Sequence, residues 1–132
     1  MLAAIKGHKE CLINLLNRSA NLELRSNSGY TALISAAKFS QYECVGILLE
    51  NGANINAVTN TQVKNQLGGN MTALHYAAFK NDWETVQILL RSNANTTLRD
   101  TNNHTAQDYA KMDVKKYFDT STKAYRDMKQ GK

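Results

Sequence analysis

One phrase occurs twice in this chain. Thr31-Ala32-Leu33-Ile34-Ser35-Ala36-Ala37 returns as Thr72-Ala73-Leu74-His75-Tyr76-Ala77-Ala78. Self-similarity of this kind marks a repeat architecture, in which each unit buries its apolar face only by stacking on the next. Eight residues past each double alanine stands an apolar residue with a Leu-Leu pair at helical spacing: Val45, Leu48 and Leu49, then Val86, Leu89 and Leu90. A third copy opens the chain, where Ala3-Ala4 is followed by Leu12, Leu15 and Leu16. Ala20 and Ala53 lie 33 residues apart, as do Thr72 and Thr105, whereas Ala53 and Ala94 lie 41 apart. The period is therefore 33 with one insertion of eight, in the polar stretch Val58 to Gly69.

Each unit reads as two helices. Thr31 and Thr72 stand where an N-cap hydroxyl accepts from the first free amides of a helix, and the alanines that follow let this helix lie close to its neighbours. The second helix carries the larger side chains. Gly52 suits its left-handed end and Asn93 serves tolerably, while Ser19 predicts a less crisp ending for the first unit.

With Gly29-x-Thr31, Leu33 to Ala37, Val45-x-x-Leu48-Leu49 and Gly52-Ala53-Asn54 in order, residues 2 to 110 resemble the ankyrin repeat family. The resemblance implies an all-α solenoid of stacked antiparallel helix pairs joined by hairpin loops. A single domain over 1–132 is expected, divided into a truncated repeat (1–25), a repeat (26–57) with insertion 58–66, a repeat (67–99), and a C-terminal capping repeat with a basic tail (100–132). The chain departs from the family pattern where proline is expected after threonine: Ala32, Ala73 and Ala106 stand there, and the chain has no proline. Ile34 replaces the family histidine, which His75 keeps, with a structural role. The hairpin glycine is kept at Gly29 and becomes Asn70 and Asn103, which tolerate positive φ.

Composition narrows the function. Of the net charge of +5, residues 111–132 supply +4, so the repeats are nearly neutral and nucleic-acid binding is disfavoured. No apolar run reaches the 18 residues of a membrane span. Cys11 and Cys44 hold equivalent places one repeat apart and are expected as small buried residues, unbridged because packed helices lie about 8–10 Å apart. Unpaired thiols point to an intracellular location, cytoplasmic or nuclear. His8, His75 and His104 belong to no metal-binding cluster, and no nucleophile has a base at a recognisable spacing. Neither catalysis nor a cofactor or metal is expected.

Recognition is what remains. The family resemblance places hairpin tips and first-helix ends on a concave binding face, which selects Tyr30, Lys38, Phe39, Met71, Phe79, Lys80, Arg99 and His104 as partner-binding residues. Aromatic and Met anchors beside lysines suit a protein partner with an apolar centre and an acidic rim. Trp83 and Tyr42, equivalent starts of second helices, are expected half-buried, and Val63 and Leu67 in the insertion are further contact candidates. Met1-Leu2 begins inside a helix, so a piece of a longer protein is expected; Asp119 to Thr122 can cap a last short helix carrying Tyr125 and Met128. The expected function is a non-catalytic, monomeric protein-interaction module, a scaffold or adaptor. The alternative is a regulatory or substrate-recruiting domain of a larger enzyme.

Overall fold

A computed structural model describes residues 2–27, 29–60, 68–111, 114, 115 and 118. Within them the chain forms helices α1 (Leu2–Lys6), α2 (Lys9–Asn17), α3 (Ala32–Lys38), α4 (Tyr42–Glu50), α5 (Ala73–Phe79), α6 (Trp83–Arg91) and α7 (Ala106–Tyr109), with no strand among the described residues. The first helices α1, α3, α5 and α7 pack in one row and the second helices α2, α4 and α6 in another; α1–α2, α3–α4 and α5–α6 are the pairs. This is the all-α solenoid expected from the period.

The helices start and stop where the residue types demand. Thr31 Oγ1 accepts from the Ile34 amide at 3.3 Å, and Thr72 Oγ1 from the His75 amide at 3.2 Å. Every helix of the three pairs is followed by a residue at positive φ: Gly7, Ser40 and Asn81 after the first helices, Ser19, Gly52 and Asn93 after the second. The expectation that Ser19 closes its helix poorly does not hold. Ser19 N–H reaches Leu16 O at 3.0 Å and Ala20 N–H reaches Leu15 O at 3.2 Å, the same two bonds that Gly52 and Ala53 make to Leu49 and Leu48. Serine adopts the left-handed conformation because the two bonds satisfy carbonyls otherwise left open.

The core is a ribbon of equivalent residues from successive units. Leu33, Ile34, Ala36, Ala37, Val45 and Leu48 are buried, and so are Leu74, His75, Ala77, Ala78, Val86 and Leu89. Small alanines bring the first helices together, and the Val and Leu side chains of the second helices fill the space behind them.

At the first unit the periodicity of burial fails. Leu48 and Leu89 are 0% exposed but their equivalent Leu15 is 46% exposed, and Cys11 is exposed where Cys44 is buried. The reading of both cysteines as core residues is thus corrected for Cys11. Composition is the same at both positions; α4 packs against both α2 and α6, and the core continues after α6 to buried Val114 and Phe118, whereas among the described helices of that row α2 has only α4 beside it. Residues 61–67 and 119–132, with the expectations for Val63, Leu67, Tyr125 and Met128, lie outside the described residues.

Candidate partner-binding edge

Three hairpins precede the capping threonines, and one device closes them all. The amide of Ser26 donates to Tyr30 O, that of Thr59 to Met71 O and that of Asp100 to His104 O, each at 3.0 Å. In return, Ser26 Oγ accepts from the Tyr30 amide (3.1 Å), Thr59 Oγ1 from the Met71 amide (3.1 Å) and Asp100 Oδ1 from the His104 amide (2.9 Å). A short side-chain oxygen at the first position thus brackets each hairpin. Gly29, Asn70 and Asn103 turn the chain at positive φ just before each capping threonine, as expected from their types. In the middle hairpin the bracket encloses residues 60–70, so its extra length leaves the pairing of Thr59 with Met71 intact.

The residue at the far end of each bracket is Tyr30, Met71 or His104, and the three have different fates. Tyr30 is half-buried and its hydroxyl lies 3.2 Å from that of buried Tyr76. Lys38, at the end of α3, donates to the Tyr30 hydroxyl at 3.3 Å; its ammonium stands 4.5 Å from the centre of the Tyr30 ring and 5.7 Å from that of Phe39. Phe39 is 48% exposed. Tyr30, Lys38 and Phe39 therefore form one platform, with the cation on the rings.

Met71 corrects the expectation of an exposed anchor. It is 0% exposed and belongs to the core. An unbranched apolar side chain fills a gap between units without leaving a polar tip unpaired, which Tyr and His at the same place cannot do.

The second cluster forms around Tyr109, which the sequence reading did not select. Its ring meets those of Phe79 (6.1 Å between centres, 80°), His104 (5.2 Å, 81°) and His75 (6.1 Å, 68°) edge to face. Its hydroxyl donates to Asp100 Oδ2, while Asp100 Oδ1 also takes the Asn102 amide at 2.9 Å. Burial first, and the Asp100 hydrogen bond second, push the Tyr109 hydroxyl up to about 12. The signal was present in the chain: Tyr109 follows Thr105 by four residues as Tyr76 follows Thr72. Phe79 is 41% exposed, and Lys80 and His104 are exposed. Arg99 is exposed with its guanidinium on Asn103 O at 2.8 Å. Tyr42 (40%) and Trp83 (48%) are exposed at the starts of α4 and α6.

His75 ties two successive units. Its Nδ1 accepts from the Thr72 amide at 3.2 Å, and its Nε2 lies 3.0 Å from His104 O in the next hairpin. A carbonyl can only accept, so Nε2 carries a proton, and with Nδ1 accepting from the Thr72 amide this is the neutral tautomer. Burial lowers its pKa below the usual 6.5 against the opposing pull of the His104 carbonyl. Among the described residues no group of three or more His, Cys, Asp or Glu side chains is placed to hold a metal ion, and no helix is long and apolar enough to cross a membrane.

Two family models described as ankyrin repeats, one of three copies and one of many, match residues 1–59 and 33–90. The human BCL-6 corepressor-like protein 1 is 32% identical over 117 residues, covering 88% of this chain and 6% of its own length. The Drosophila melanogaster ankyrin repeat and KH domain-containing protein mask is 38% identical over 98 residues, 74% of this chain and 2% of its own. Human ankyrin repeat and SOCS box protein 3 is 31% identical over 103 residues, 76% of this chain and 19% of its own. The chain thus spans a small part of the length of the curated relatives it matches.

Proposed function

The chain belongs to the ankyrin repeat family, and we propose that its hairpins and first-helix ends hold a partner protein on a concave face, without chemistry of their own. Members of this family are generally protein-protein interaction modules, and generally non-catalytic. The observation that carries the reading is the pair of aromatic clusters on successive units: Tyr30 with Phe39, and Phe79 with Tyr109 and His104. Both hold half-exposed rings, the first with the Lys38 ammonium over them and the second with Lys80 next to Phe79 in the chain, the composition of interface hot spots. Met71, being buried, supports the edge from behind. An intracellular compartment suits a chain with an exposed free thiol at Cys11.

The test is capture of partner proteins by the wild-type chain beside a variant with Tyr30, Phe39 and Phe79 replaced by alanine. Capture should be lost while circular dichroism and melting stay nearly unchanged. Capture that survives all three replacements sinks the reading.

A further inference from the structure

Resting on the hairpin edge as the binding surface, we infer that the segment it takes is acidic and extended, with a carboxylate received by Lys38 on its platform of Tyr30 and Phe39. The expectation of an apolar centre with charges at its rim changes with two findings. Met71, the apolar residue between the two clusters in sequence, is buried, and the Lys38 ammonium lies over the rings themselves. The cation therefore occupies the middle of its cluster.

Among the described residues that charge is not neutralised. Lys38 gives one of its three donors to the Tyr30 hydroxyl, and no carboxylate among the described residues pairs with it, unlike Lys9, which pairs with Glu43. Arg25 and Arg99 flank their hairpins from equivalent positions and spend their hydrogen bonds on carbonyls, Arg25 on Gly29 and Val58, Arg99 on Asn103. Lys80 adds a fourth cation, exposed beside Phe79. The carboxylates of the same edge are already engaged. Asp100 accepts from two amides and the Tyr109 hydroxyl, and Asp108 accepts from the Thr105 amide while attracting Arg99. Glu10, Glu43 and Glu84 each stand second in α2, α4 and α6, where the helix dipole favours them, and Glu43 pairs with Lys9.

A positive edge whose own acids are engaged selects an acidic partner. Holding Lys38 on two rings before binding also reduces the rotamer entropy lost when it meets a carboxylate. Neighbouring first helices pack about 8–10 Å apart, which is about three residues of extended chain at ~3.1–3.3 Å each. Carboxylates three residues apart therefore reach successive units. Nucleic acid fits less well, because residues 1–110 carry a net charge of only +1 and tight binding to a phosphate backbone needs many cations.

The experiment uses the full chain and fluorescein-labelled 12-residue peptides, followed by anisotropy. One peptide has Glu at every third position, a second has Lys in those places, and the third probe is a 12-nucleotide oligothymidine. The Glu peptide should bind at least tenfold more tightly than the Lys peptide. Lys38→Gln should weaken it about tenfold, the loss of one charge-assisted hydrogen bond. Lys115→Gln, at an exposed position and also removing one charge, should change it less than twofold. Circular dichroism checks that both variants are folded. Equal losses from the two variants, equal binding of the two peptides, or tighter binding of oligothymidine overturns the inference. If the Glu peptide fails while replacing Tyr30, Phe39 and Phe79 still abolishes partner capture, the acidic chemistry falls and the binding surface stands.

Discussion

His75 is held through both ring nitrogens, and its burial favours the neutral ring, whose Nδ1 accepts from the Thr72 amide. With its folded pKa below 6.5, His75 contributes stability that is fully present above about pH 6.5 and is lost as pH falls through the folded value. Urea midpoints between pH 7.5 and 5 should fall toward acid, and His75→Ile should flatten that slope; the equivalent Ile34 is fully buried in the unit before. An unchanged slope in the variant rules His75 out as its source. Gly46 offers the opposite test. It lies inside α4 beside a groove lined by Leu49, Ile55 and Ile88, and a methyl group there meets no atom within 4 Å. Glycine inside a helix costs about 0.5–1 kcal/mol relative to alanine. Gly46→Ala should therefore raise the unfolding free energy by about that amount in denaturant titration.

At the scale of the helix, identical residue types differ in value because of what stands beside them. Leu48 in α4 and Leu89 in α6 are fully buried, and truncating either to alanine should cost about 2–5 kcal/mol. Leu15 in α2 holds the equivalent place but is 46% exposed, so Leu15→Ala should cost less than about 1 kcal/mol. Equal losses at all three positions would show that the face of α2 is covered in solution. The order of effects is the informative reading, since any large loss in so short a stack threatens the whole fold.

Across the whole molecule, the stack makes the two thiols different reporters. Cys11 is exposed and Cys44 is buried, with burial pushing the Cys44 thiol upward. A thiol reagent added to the native protein should modify Cys11 promptly and Cys44 only as the stack opens, so the second rate follows unfolding. Adding urea below the transition should accelerate Cys44 and leave Cys11 nearly unchanged. Two equal rates would mean that α4 is not packed between its neighbours as described.

The sequence by itself determined the period, the helix pairs, the capping threonines and the left-handed turns at Gly29, Asn70 and Asn103, because each depends on residue type at a fixed local offset. It also selected Tyr30, Lys38, Phe39, Phe79, Lys80, Arg99 and His104 by their place in the repeat, and the structure leaves each of them exposed or half-buried at the surface. Only the tertiary structure decided which equivalent residues differ. Met71 is buried while Tyr30 and His104 reach the surface, Cys11 is open while Cys44 is closed, and Tyr109 gathers Phe79, His104 and Asp100 about its ring. Burial and contact belong to pairs of neighbouring units, and a repeat pattern describes the unit without its neighbours.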